Sequence, residues 1–232
     1  MPYKILFLLG HMRSGSSLLS HILVTNPEIV GFGETHIKYS VEGDFEKLIL
    51  KIHQVVGNSP VDLNYFFDKI LHNNMFINEA ILCSEQVYLI FLLREPQQSL
   101  ASIIKLKPHW NQKQALGYYS RRLAKLETYA KLINSKKRSF FLTHDQLLHK
   151  TELVFKSLQY FLQVQQPFSE EYEILPTTGM RFIGDQSERI KSGRIIRYNQ
   201  ISESSISPDL IKQGIQAFDQ CINTLSEYCQ TI

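Results

Sequence analysis

Near the start of this 232-residue chain stands Gly10-His11-Met12-Arg13-Ser14-Gly15-Ser16-Ser17, whose residue types and spacing suit it to holding a phosphate-like anion. It follows the apolar run Ile5–Leu9 and opens into Ser17-Leu18-Leu19-Ser20-His21-Ile22-Leu23, which reads as a helix. Strand, glycine-bounded turn, helix is the setting in which backbone N–H groups at a helix start cradle an anion. A Walker loop would carry Lys at position 16, to reach the outer phosphates of a nucleoside triphosphate, and then Ser or Thr for Mg²⁺. Here Ser16 and Ser17 hold those places, and the one cation, Arg13, lies inside the loop. The implied ligand is phosphate-like but is not the end of a nucleoside triphosphate.

A second centre of chemistry follows the apolar run Val87–Leu93, which ends at Arg94-Glu95-Pro96. In a Walker-type enzyme such a strand ends in Asp, which helps hold Mg²⁺. Arginine cannot ligate a cation, but its guanidinium offers two parallel N–H donors to a phosphate. Ser102 lies eight positions beyond Arg94, so a strand-end cation and a hydroxyl two turns into the next helix can face one anion. Ser99, between them, reads as a solvated helix residue. The chain thus offers two anion sites at the C-terminal ends of parallel strands, where ligands of open α/β sheets bind.

The elements that position these residues alternate. After the first strand and helix, Ile29–Phe32 reads as a short extended segment ending at Gly33-Glu34. Helical spacing joins Phe45, Leu48, Ile49, Ile52, Val55 and Val56, and a second helix is expected across Leu63–Leu71. Residues 73–84 fit no single pattern. Beyond the Val87–Leu93 strand come helices over Gln97–Lys105 and Gln112–Ser135 and a strand at Ser139–Leu142. A helix follows over Asp145–Phe161, then an irregular stretch over 164–207 and a last helix over Asp209–Tyr228. Arg121, Arg122, Lys125 and Lys131 read as the wet side of the long helix. Alternating strands and helices mean an α/β fold with a parallel sheet, and the length fits one domain.

Composition narrows the partners. A net charge of +3 with scattered Lys and Arg argues against nucleic acid and fits one polyanionic small ligand. Three cysteines form no CxxC pair, and the eight histidines lack ligand spacing, so neither a disulfide framework nor a metal is expected. Free thiols suit a reducing cytoplasm. No membrane span is expected, because no apolar run approaches ~20 residues.

The two motifs together, G-x-x-R-S-G-S-S-L-L and strand-R-E-P followed by Ser102, resemble the sulfotransferases that use 3′-phosphoadenosine-5′-phosphosulfate (PAPS), particularly the bacterial type. The resemblance covers residues 3–35 and 86–163 and implies a three-layer, P-loop NTPase-like fold. It implies that Arg13, Ser14, Gly15, Ser16 and Ser17 hold the 5′-phosphosulfate, and that Arg94 and Ser102 hold the 3′-phosphate. Phe141-Leu142-Thr143-His144-Asp145-Gln146-Leu147-Leu148 is similar to a further family strand end, with His144 where the family has the Tyr beside the adenine. Lys191-Ser192-Gly193-Arg194 is similar to the basic loop that closes over the 3′-phosphate, which makes Gly193 and Arg194 expected contacts, with Tyr198 as the aromatic beyond it. Glu34 matches the family's glutamate base, and His36 is its internal competitor.

The activity so implied is transfer of a sulfuryl group from PAPS to the hydroxyl of a small-molecule acceptor, releasing adenosine 3′,5′-bisphosphate without a metal. Sulfuryl transfer passes through a loose, in-line transition state, so positioning and stabilisation of the leaving phosphate carry it. Two other readings stand beside it: a nucleotide or small-molecule kinase with a degenerate phosphate loop, and a nucleotide-binding module without turnover.

Overall fold

The computed structural model describes residues 3–57, 63–179, 188–197 and 206–232. Among them the order is β1 (Lys4–Gly10), α1 (Ser16–Thr25), β2 (Ile29–Val30), α2 (Asp44–Val56), β3 (Tyr65–Ile70), α3 (Glu79–Cys83) and β4 (Val87–Leu93). There follow α4 (Pro96–Leu106), α5 (Gln112–Ile133), β5 (Ser139–Thr143), α6 (His144–His149), α7 (Thr151–Leu162), α8 (Glu188–Lys191) and α9 (Pro208–Tyr228). No helix among the described residues is long and apolar enough to cross a membrane.

The strands form one five-stranded sheet in the order β2-β3-β1-β4-β5, and every pairing is parallel. A parallel sheet must be covered on both faces, and its strands are accordingly apolar at successive positions. Side-chain alternation divides them between two cores. Ile5, Phe7, Leu9, Phe66, Leu89 and Phe91 pack with α2, α3, α4, α5 and α9, whereas Leu6, Leu8, Phe67, Ile90 and Leu92 pack with α1, α6 and α7. Each fully buried Leu, Ile or Phe contributes about 1.5–3 kcal/mol, so this double burial is what holds the strands together. The register sets Leu9 beside Ile70 and Gly10 beside Leu92, which brings the C-terminal ends of β3, β1 and β4 level at one edge.

The helix expected over Leu63–Leu71 is a strand. Tyr65-Phe66-Phe67 has strong strand propensity, and all six residues of β3 are buried between β2 and β1. Asp68 and Lys69 interrupt its apolar run, but both charges are buried and partnered. The helix expected over Asp145–Phe161 is two, because Lys150 leaves helical geometry between α6 and α7. At α4 and α5 the helix starts follow their capping chemistry. Glu95 caps α4 ahead of Pro96, and Asn111 with Gln114 forms a capping box on α5.

Candidate functional site

The loop between β1 and α1 is bent by two left-handed residues, Arg13 (φ 67°) and Gly15 (φ 91°). A Cβ on Gly15 would lie 2.3 Å from the His144 ring, so the loop needs glycine there for space as well as for φ. Gly15 is also the N-cap of α1 and offers no side-chain acceptor to the first-turn N–H groups. Those donors and the positive end of the helix dipole face the loop, which suits an anion. By contrast the start of α4 is already capped, since Gln98 N donates to Glu95 Oε1 at 2.8 Å.

Arg94 leaves the end of β4 with its main chain fixed. Its N–H donates to His11 Nε2 at 3.1 Å, and its carbonyl accepts from Tyr119 O–H at 2.8 Å and Ser99 O–H at 3.2 Å. Ser99 is therefore a buried anchor of Arg94, not a solvated residue. The Arg94 guanidinium donates to Gln98 and, at 3.4 Å, to the Arg13 carbonyl. Arg13 in turn donates from Nε to Ser102 Oγ at 2.8 Å. The two anion sites read from sequence are thus one continuous cluster, joined through Arg13. Arg94 Nε, within it, and Ser14 Oγ, which lies beneath the loop near Gly10, are buried without a hydrogen-bond partner among the described residues. Buried polar groups are normally paired, so the unpartnered Arg94 Nε makes this cluster a candidate anion site.

Glu34 sits across the loop, at the sheet edge after β2. It is buried and pairs with Lys69 Nζ at 3.5 Å, and the same ammonium lies 3.5 Å from Ser17 Oγ. Lys69 therefore bridges the candidate base and the β1–α1 loop. Reading β3 as a helix hid this residue. The available signal was an Asp-Lys pair inside an apolar run, because charges buried in a strand need dedicated partners. His36, two residues past Glu34, is exposed and contacts Met75 Sδ at 3.4 Å, outside the Glu34–Lys69–Ser17 line.

Burial shapes the electrostatics. His11 donates from Nδ1 to the Met12 carbonyl at 2.9 Å and accepts from Arg94 N, so it is a neutral imidazole; burial pushes its pKa down to about 4. Burial likewise lowers His144 to about 3 and His72 to about 4, with Arg94 beside the former and Arg122 beside the latter adding to the effect. Tyr118 accepts from Met12 N and donates to the Leu71 carbonyl, both at 2.8 Å, and burial pushes its hydroxyl up to about 12. Arg122 is no surface residue: it is fully buried and donates to the carbonyls of Gly10 (2.7 Å) and Ile70 (2.5 Å) and to Asn73 Oδ1 (3.1 Å). It thereby closes the ends of β1 and β3 beneath the loop.

Gly193 and Arg194 lie elsewhere. Gly193 O accepts from Tyr172 N at 2.8 Å, and Arg194 bridges to Glu171. This strip flanks Thr25 at the far end of α1, about 15 Å along the helix from Gly15. Among the described residues no bond joins this strip to the Arg94 cluster; it pairs instead with residues 171–172. Tyr198 lies outside the described residues.

Three solved structures share this architecture. A sulfotransferase domain from the curacin biosynthetic pathway is 17% identical over 99% of both chains, with a TM-score of 0.56. Mouse sulfotransferase SULT7A1, solved in complex with PAP, is 11% identical over 96% of this chain and 84% of its own, with a TM-score of 0.54. The sulfotransferase domain of the Synechococcus PCC 7002 olefin synthase is 18% identical over 93% of this chain and 94% of its own, with a TM-score of 0.52. No protein-family model and no curated protein sequence matches the chain. The chain has the sulfotransferase fold, a P-loop-like α/β architecture.

Proposed function

We propose that this chain is one sulfotransferase domain that moves the sulfuryl group of PAPS to a hydroxyl of a small-molecule acceptor and releases adenosine 3′,5′-bisphosphate. The observation that carries the reading is the Arg13–Ser102–Arg94 cluster with the orphaned, buried Nε of Arg94. Such a cluster fits a nucleotide with two separate anionic groups. The PAP complex of the mouse structure, which has the same fold, supports the choice of nucleotide.

The loop residues Arg13, Ser14, Gly15, Ser16 and Ser17 would hold the 5′ end, and Arg94 with Ser102 the 3′-phosphate. PAPS, when bound, supplies an activated sulfuryl group. The protein residues supply the rest. Glu34 takes the proton of the attacking hydroxyl, which requires hydrogen-bond reach at the sheet edge. Lys69, beside Ser17, and Arg13, within the loop, stabilise charge on the leaving 5′-phosphate, together with the α1 N–H groups. A sulfuryl group carries less charge than a terminal phosphoryl group, so these donors suffice without a divalent metal in this mechanism. Free Cys83, Cys221 and Cys229 suit a cytoplasmic setting.

The test is conversion of PAPS to adenosine 3′,5′-bisphosphate in a chelator-containing mixture of phenols, alkyl alcohols and sugars. Turnover in wild type and its loss in Glu34→Gln support the proposal. Absence of PAPS turnover beside Mg²⁺-dependent consumption of ATP would replace it with the kinase reading.

A further inference from the structure

Asp68 and Lys69 are consecutive on β3, and strand alternation sends them to opposite faces of the sheet. Lys69 turns toward α1 and meets Ser17 and Glu34. Asp68 turns the other way, is almost fully buried, and accepts four hydrogen bonds. Oδ1 takes Thr35 N (2.9 Å) and Lys69 N (2.8 Å), while Oδ2 takes Thr35 O–H (2.6 Å) and Tyr39 O–H (2.7 Å).

These partners belong to the segment that carries Glu34, and it is not regular structure. Gly33 (φ 110°) and His36 (φ 61°) flank Glu34 and Thr35 with left-handed backbone. A turn of this kind keeps one geometry only if outside groups hold it. The outside groups are present: Lys69 N donates to Gly33 O at 3.1 Å, Lys51 Nζ donates to Thr35 O at 2.6 Å, and Asp68 takes both donors of Thr35. Every polar group of Thr35 is thus engaged. A buried carboxylate whose hydrogen-bond partners are amides and hydroxyls is a poor device for stability alone, and well-packed apolar residues serve that end as well or better. What it supplies is a fixed direction for the main chain next to Glu34.

We propose that Asp68 is a positioning residue for sulfuryl transfer: through Thr35 it fixes the backbone that aims Glu34 at the acceptor hydroxyl beside Lys69. The inference rests on the proposed function and on Glu34 as the base. β3 then sets both halves of the reacting centre, with Lys69 touching the loop and the base directly and Asp68 acting from behind them.

Thr35→Val tests this gently, because it keeps the side-chain shape and removes one hydroxyl. The readouts are PAPS turnover in the acceptor mixture and calorimetric affinity for adenosine 3′,5′-bisphosphate. The expected result is a loss in kcat approaching the ~10²-fold that a displacement of about 1 Å costs. Bisphosphate affinity stays within about twofold, and Thr35→Ser restores turnover. Asp68→Asn is expected to act in the same direction and more strongly. Thr35→Val turning over like wild type would overturn the proposal. So would parallel losses of kcat, bisphosphate affinity and melting temperature that Thr35→Ser does not rescue, since these describe a structural role. Failure of wild type itself to use PAPS removes the function reading and this inference with it, which separates the two failures.

Discussion

Replacing Lys69 by Met would leave Glu34 as a buried carboxylate without its cation. The pair lies 3.5 Å apart, with side chains only 4% and 10% exposed. At an effective dielectric of about 20, charges at this separation attract by about 5 kcal/mol. Breaking a buried pair typically costs about 3–5 kcal/mol, much of it the penalty on the stranded charge. Lys69→Met is therefore expected to cost about 3 kcal/mol and Glu34→Gln, which strands the ammonium, about 2 kcal/mol. Because the double variant strands nothing, it should be destabilised by clearly less than the sum, giving a coupling energy of about 2 kcal/mol. Urea unfolding of all four proteins at pH 7 measures this, provided the m-values match. A coupling below about 0.5 kcal/mol would mean that the two groups do not act as a buried pair, and the bridging role of Lys69 would fall. In turnover, Lys69→Met should lose about 10²–10³-fold, the scale of one preorganised donor to a developing anion.

Three further outcomes follow from the geometry. Gly15→Ala, facing both φ 91° and the His144 ring at 2.3 Å, should abolish bisphosphate binding detected by calorimetry while the protein still melts cooperatively. Arg122→Leu removes hydrogen bonds to Gly10, Ile70 and Asn73 and should cost about 3 kcal/mol in chemical denaturation. Acid should destabilise the fold: His11 and His72, near 4, and His144, near 3, stay neutral in the native state while the unfolded chain takes up their protons below pH 6.5. Their stabilisation is complete above pH 6.5 and is lost as the pH falls toward 4. Asp68, pushed up to about 6 by burial, works the other way, because the native state binds its proton first. The net uptake of roughly two protons gives a slope of about 2.7 kcal/mol per pH unit between pH 6 and 4.5, and His11→Asn should remove about half of it.

The residues of the candidate anion site were legible because each motif is local. The glycine-bounded turn after β1, the strand ending in Arg94 and the spacing to Ser102 each need only a few adjacent residues, and the structure unites them. The direct Arg13–Ser102 bond was not legible, since it depends on β1 and β4 lying side by side. The Glu34–Lys69 side of the candidate site was hidden for a different reason. β3 carries two charges in a strand buried on both faces, and the helix reading passed over the strand propensity of Tyr65-Phe66-Phe67. Losing β3 meant losing Lys69 and Asp68, whose meaning lies in contacts with residues more than thirty positions away. Arg122 was misread likewise, because its polar neighbours are strand-end carbonyls that only topology brings to α5. The pairing of Gly193 and Arg194 with residues 171–172, at the other end of α1, was not legible either, since it joins segments more than twenty positions apart.

The most direct test of the central claim is calorimetric titration with adenosine 3′,5′-bisphosphate, with ADP and AMP as controls and divalent metal absent. The account predicts clear preference for the bisphosphate, lost in Arg94→Ala. Equal or tighter binding of ADP, or binding that requires Mg²⁺, would contradict the two-anion pocket and with it the sulfotransferase reading.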